Sequence, residues 1–111
     1  MTAKQGDKDN GCIINTAIQA ASTPNKLSVC VNKANFTHDM IMDTREFTVS
    51  VISQNATFDL FKHFGFQSGK EVNKFEKYDK CKRGANGIYY ITESTNAYIS
   101  VKVTKTEDLG Y

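Results

Sequence analysis

The sequence predicts a mainly β domain with short helical additions, an antiparallel barrel or sandwich. Three observations predict it. Residues 46–53 and 97–105 alternate apolar and polar side chains with a period of two, the pattern of half-buried strands. Shorter apolar runs elsewhere are bounded by turn residues. Only two short segments carry helix caps and helical spacing, and there are no repeats and no low-complexity stretches.

In chain order, the polar residues 1–10 close on Asn10-Gly11, a hairpin-turn signal. "GCIINTAIQAAS" (11–22) reads as a strand whose near-continuous apolar character predicts burial on both faces. "TPNK" (23–26) holds the single proline and reads as a turn. "LSVCV" (27–31) sets Leu27, Val29 and Val31 on one face of a strand. Thr37 is expected to cap a short helix running through Met40 and Ile41 to Arg45, with Asp39 favourably placed in its first turn. "EFTVSVIS" (46–53) is the clearest strand, with Phe47, Val49 and Val51 on one side. "NATFDLFKHFG" (55–65) predicts a helix with Asn55 as N-cap, Phe58, Leu60 and Phe61 on its apolar face and Gly65 as its stop. Residues 66–87 read as a long polar loop, a length usually tied to function. "IYYIT" (88–92) and "AYISVKVTK" (97–105) are strands, the second with one face buried. The expectation is about five strands and two helices in one domain over 1–111.

Composition narrows the function classes. A net charge of +2 is too small to argue by itself for nucleic acid, which needs a clustered basic face. Cys12, Cys30 and Cys81 are odd in number and far apart, which argues against a zinc site or a disulfide framework. Free, mostly buried thiols fit a reducing cytoplasm. No apolar run approaches the roughly 20 residues of a membrane span. His38 and His63 have no metal-ligand spacing, and neither GxGxxG nor GxxxxGK[ST] occurs. A hard reaction would therefore use a cofactor held by scattered polar groups, with no catalytic set visible.

Two stretches concentrate such groups. In "NKANFTHDMI" (32–41), Asn32, Lys33, Asn35 and Thr37 follow a strand and open a helix. Lys33 offers charge to a phosphate, and the first N–H groups of the helix offer oriented donors. A solvated turn with a helix cap is the plainer account, and for Lys33 alone the better one. In "HFGFQSGKEVNKFEKY" (63–78), Gly65 and Gly69 allow close backbone approach to a flat ligand. Ser68, Lys70 and Lys74 offer bonds to its oxygens, and Phe64 and Phe66 supply walls. The plainer account puts the phenylalanines in the core and the lysines in water. Asn15 and Thr16 interrupt an apolar run, which makes a ligand-facing edge an alternative to local backbone bonding.

"NTAIQAASTPNKLSVCVNKANFTH", "FTVSVIS" and "FGFQSGKEVNKFE", in that order, resemble the flavin reductase-like, FMN-binding split-barrel family. The likeness is nearest to flavoredoxins and to the flavin reductase module of high-molecular-weight rubredoxins, and it covers nearly the whole chain. It implies a Greek-key split β-barrel and a homodimer with FMN near the subunit interface. It also implies electron transfer from NADH or NADPH through FMN to flavin or to a protein acceptor such as a rubredoxin. By this resemblance Asn15, Thr16 and Ala17 line the flavin ring and ribityl chain, and Asn32, Lys33, Asn35 and Thr37 hold ribityl hydroxyls and phosphate. Phe64, Gly65, Ser68, Gly69 and Lys70 close over the cofactor. Family members carry further elements before the "TAK" region and after "EDLG", so the chain is expected to be an incomplete form of the domain, its open sheet edges covered by a second copy. Two other readings compete: a non-catalytic flavin-binding electron carrier, and a small β-barrel that stacks nucleic-acid bases on Tyr89, Tyr90 and Tyr98.

Overall fold

The computed structural model describes all 111 residues. Its elements are β1 (Thr2–Gln5), β2 (Lys8–Gly11), β3 (Ile18–Ser22), β4 (Asn25–Ser28), α1 (Phe36–Thr44), β5 (Glu46–Ile52), α2 (Phe58–Gly65), β6 (Cys81–Arg83), β7 (Tyr89–Ile91) and β8 (Thr95–Lys102). Four strands form an antiparallel sheet in the order β2-β1-β5-β8, and β3 with β4 and β6 with β7 form separate hairpins. The mainly β class with two helices holds, with three short strands more than the five expected.

β5 is the spine of the sheet. It pairs with β8 from Glu46↔Lys102 to Ile52↔Thr95 and meets β1 at Thr2↔Thr48. Its alternation is correctly legible, but Phe47, Thr48 and Val49 are all buried, so this half is covered on both faces. Thr48 is satisfied there: its Oγ1 accepts from Asn86 Nδ2 at 3.2 Å. β8 departs from expectation. It is the sheet's edge, Tyr98 and Ile99 are 44% and 43% exposed, and of its predicted apolar face only Val101 and the following Val103 reach the core.

The first third of the chain differs most from its sequence reading. The hairpin turns at Gly6-Asp7, with Gly6 at φ 58°, while Asn10-Gly11 lies in β2 paired to Thr2 and Ala3. A positive φ at the first turn position needs glycine, and Gly6 supplies it. Residues 12–17 form no strand. Their apolar run has another cause. Cys12 and Ile14 pack into one core cluster and Ile13 into the other, so consecutive side chains bury in opposite directions. β3 is exposed along its length, not buried on both faces, and β4 begins at Asn25 and ends at Ser28. The cysteines are free, but Cys12 alone is buried and Cys30 is exposed.

α1 starts one residue before Thr37, with Asn35 as N-cap, and α2 starts at Phe58 with Thr57, not Asn55, as N-cap. The apolar face of α2 is Leu60 and Phe64, and Phe58 is 62% exposed. Two core clusters result. The larger joins Met1, Ala3, Cys12, Met40, Ile41, Phe47 and Val49 beneath α1, and the smaller joins Leu60, Phe64 and Ile91 beneath α2. The loop over 66–87 contains β6 and runs along the seam between them.

Candidate functional site

The seam opens into two adjoining clefts of about 300 and 360 Å³ that share Cys12, Asn35, Gly65, Phe66, Gln67 and Lys74. The first is mostly polar and adds Asn10, Ala34, Phe36, Thr37, Ser68 and Gly69. The second is mostly apolar and adds Ile13, Phe58, Phe61 and Phe64. No aspartate or glutamate lines either.

The polar wall is the N-terminus of α1. A turn places it: Asn32 Oδ1 accepts from the Ala34 N–H at 2.8 Å, and the Asn32 carbonyl accepts from the Asn35 N–H at 3.0 Å. Asn35 caps in an extended conformation and makes no side-chain bond to the helix. The N–H groups of Phe36 and Thr37 therefore have no acceptor in the protein, and the helix dipole adds partial positive charge at this end.

Thr37 is not the cap that its position in the sequence predicts. It is the second helical residue, fully buried, and its Oγ1 accepts from Asn10 Nδ2 at 3.0 Å. Asn10, 1% exposed on β2, has no partner for Oδ1. A buried acceptor left unpaired costs about 1–3 kcal/mol, so this atom awaits a donor. Gly69 packs on the same amide. A Cβ there would stand within 2.5 Å of Asn10 Cγ and Nδ2. The absent side chain at 69 thus makes room for Asn10, and that at Gly65 for Ile13, at 3.1 Å. Both glycines line the cleft, yet the approach they permit is of protein to protein.

The loop lysines part company. Lys70 is exposed, its backbone N–H donating to Ser68 Oγ at 3.1 Å. Lys74 is 3% exposed, and its ammonium donates to the carbonyls of Gly11 and Phe64, both at 2.7 Å. It thereby ties β2 to the last turn of α2. Burial pushes its pKa below the ordinary 10.5. His63 Nε2 meets the Lys74 carbonyl at 2.6 Å, which requires that nitrogen to carry the proton, and its ring stacks on Tyr78 at 5.1 Å.

The structure gathers Asn35, Thr37, Gly65, Ser68 and Gly69 around the polar cleft and Phe64 beneath the apolar one. Asn15, Thr16 and Ala17 lie in the segment before β3 and line neither. Asn32 shapes the turn from outside the lining, and Lys33 is ion-paired with Asp108 at 2.8 Å on the exterior. Asn10, Cys12, Ala34, Phe36, Phe66, Gln67 and Lys74 complete the lining of the polar cleft. Asn10 was masked by the turn signal of Asn10-Gly11, and nothing local separates a buried lysine from a solvated one. Tyr89 lies between Phe75, stacked at 4.9 Å, and the Arg83 guanidinium at 3.7 Å, while Tyr90 and Tyr98 stack on each other at 3.8 Å. Base stacking would have to displace these contacts.

Free N–H donors, the residue Lys74, one orphaned acceptor and five phenylalanines thus meet along the two clefts. The chain belongs to the flavin reductase like domain family, matching it over residues 1–110. It is 36% identical over 110 residues to the high molecular weight rubredoxin of Moorella thermoacetica, covering 99% of this chain and 48% of that protein. It is 33% identical over 110 residues to the ferric-chelate reductase (NAD(P)H) of Archaeoglobus fulgidus, covering 99% of this chain and 64% of that protein. The fold matches the FMN-binding protein of Thermus thermophilus with a TM-score of 0.86 at 22% identity, over 98% of this chain and 59% of that one. It matches the flavoredoxin of Methanosarcina acetivorans with a TM-score of 0.84 at 19% identity, over 98% and 57%. These structures give the fold as the FMN-binding split barrel. The chain spans about half to two thirds of the length of the curated relatives it matches.

Proposed function

We propose that the chain binds FMN in the seam and serves electron transfer from NADH or NADPH to flavin or to a protein acceptor. The observation that carries this is the pairing, in one cleft, of the acceptorless N–H groups of α1 with the buried unpaired Asn10 Oδ1, in a member of the flavin reductase like family. FMN has the complementary groups: phosphate oxygens to accept, ribityl hydroxyls to donate, and a flat ring for Phe61, Phe64 and Phe66. When bound, the flavin would supply the hydride and single-electron chemistry that no side chain here offers. The chain's own part is to hold the anionic tail at α1, satisfy the hydroxyls from Asn10 and Ser68, and cover the ring from water.

A rubredoxin-type protein partner is supported by the relative named a high molecular weight rubredoxin, and a nicotinamide donor by the one named an NAD(P)H reductase. We assign the open edge of β8 to a second copy of the chain and the protein to the cytoplasm, on its exposed edge strand and three free thiols. No helix is long and apolar enough to cross a membrane. The test is titration with FMN followed by NADH under anaerobic conditions. Saturable quenching of flavin fluorescence, then bleaching of the visible band, supports an enzyme. Binding with bleaching only when a reduced partner protein is added supports a carrier. Absence of any flavin binding refutes both.

A further inference from the structure

We propose that Lys74 is a positioning residue: with His63 it clasps the two ends of the segment 66–73 together, and this clasp sets the loop that lines the polar cleft against β2. The proposal rests on the flavin reading above for the ligand that the cleft takes, while the clasp itself belongs to the free protein.

Lys74 is gripped at both its ends. Its ammonium donates to the Phe64 carbonyl at 2.7 Å, and its own carbonyl accepts from His63 Nε2 at 2.6 Å. Two neighbours in the last turn of α2 thus hold the residue at which the chain returns. Asn73 Oδ1 shapes that return by accepting from the Phe75 N–H at 3.1 Å. What the clasp encloses supports itself only locally. The Lys70 N–H donates to Ser68 Oγ, the Glu71 and Val72 N–H groups donate to the Ser68 carbonyl, and Gln67 Nε2 donates back to the His63 carbonyl. No hydrogen bond joins 66–73 to β2 or to α1. A compact surface loop whose ends are held close is a form frequently tied to function. Here Phe66, Gln67, Ser68 and Gly69 line the polar cleft. Two adjacent contacts set them against β2. Gly69 lies on the Asn10 amide so closely that no Cβ fits, and the Lys74 ammonium donates to the carbonyl of Gly11, the next residue, at 2.7 Å. That carbonyl is free to accept because Met1 and Cys12 exchange the ladder bonds at this end, at 3.0 and 2.9 Å, which turns Gly11 away from β1. A buried ammonium with no carboxylate costs more than an apolar side chain of the same length, so packing alone does not account for a lysine here. Its reach does: one cation joins carbonyls of β2 and α2, and with His63 it closes the loop between them.

The experiment is limited trypsin digestion of the full chain, following cleavage after the exposed Lys70 and, as a report of general unfolding, after Lys102 in β8. His63→Gln keeps an amide donor for the Lys74 carbonyl, His63→Phe keeps a ring to stack on Tyr78 but has no donor, and Lys74→Met keeps the length and removes the ammonium. His63→Phe and Lys74→Met should each speed cleavage after Lys70 roughly tenfold, the scale of one lost hydrogen bond in an opening equilibrium, with His63→Gln within about threefold of wild type. Cleavage after Lys102 should stay unchanged. In the opened variants FMN and riboflavin should weaken by the same factor, because the clasp acts on the wall of the cleft and not on the phosphate. Opening in His63→Gln but not in His63→Phe would show that the ring and not the bond matters, and would overturn the proposal. So would unchanged cleavage after Lys70 in Lys74→Met, equal acceleration at Lys70 and Lys102, or loss of FMN with riboflavin retained. If Lys74→Met does not fold, the two His63 variants decide alone. A wild-type protein that binds neither flavin overturns the flavin reading, and the cleavage pattern still decides the clasp.

Discussion

Gly69→Ala tests how the polar cleft is built. The new Cβ would stand within 2.5 Å of Asn10 Cγ and Nδ2, and the Asn10 amide is 1% exposed and held by its bond to Thr37, so the clash falls on a side chain already fixed in place. Accommodation requires the amide to swing away from Thr37, breaking the 3.0 Å bond from Nδ2 to Oγ1. Overpacking of a tight site costs about 1–3 kcal/mol, and the lost bond about 1 kcal/mol more. Against this, alanine in place of glycine restricts the unfolded chain, a gain of about 0.4–1 kcal/mol where the backbone is compatible; Gly69 is not in the left-handed region. The net expectation is a loss of about 2–3 kcal/mol, read as a lower urea midpoint at unchanged slope. A double-mutant cycle isolates the cause. With Asn10→Ala already present the obstructing amide is gone, and Gly69→Ala should then cost less than about 0.5 kcal/mol. If Gly69→Ala is neutral alone, or costs the same in both backgrounds, the account of Gly69 as the space for Asn10 is wrong.

Other perturbations separate the cleft from its surroundings. Thr37→Val keeps the shape but removes the acceptor for Asn10 Nδ2, and should cost about 1–3 kcal/mol in denaturant unfolding. Lys33→Ala breaks a half-exposed pair with Asp108, and the melting profile should report less than about 1 kcal/mol, with the FMN-over-riboflavin preference unchanged. pH dependence follows from the buried Lys74 ammonium, whose folded pKa lies below the ordinary 10.5. Between the two values the unfolded chain holds a proton that the folded chain has released, so stability should rise with pH up to 10.5. Tyr78 and Cys81, both raised by burial, act oppositely around and above their ordinary 10.0 and 9.0, and the buried Met1 amino group, lowered from 8.0, acts in the same direction as Lys74, so the Lys74 contribution is read as the difference in slope between wild type and variant. Lys74→Gln should flatten that slope; an unchanged slope in the variant would remove Lys74 as its source.

How much of the site could be read from the chain depends on whether each residue's surroundings are local. β5 is legible because a two-residue period reports a pleated surface whatever lies across it, and the two helices because apolar spacing acts within one or two turns, although neither expected N-cap, Thr37 or Asn55, is the residue that caps. The cleft is different in kind. Asn35 and Thr37 are recognisable as a helix start, but the value of Thr37 lies in an amide 27 positions away. Gly69 looks like a flexible loop residue, and only the fold reveals that Asn10 fills its missing side chain. Lys33 and Lys74 are the sharpest contrast. Lys33 sits in the polar, motif-rich stretch and is taken up by Asp108 on the outside, while Lys74, flanked by the ordinary Asn73 and Phe75, is drawn inward by two carbonyls from β2 and α2. Charge in a sequence does not say which cation will lose its water. That is decided by which backbone acceptors the fold leaves unpaired nearby, and here Gly11 and Phe64 are those acceptors, each at the end of an element where its carbonyl is bonded by the lysine.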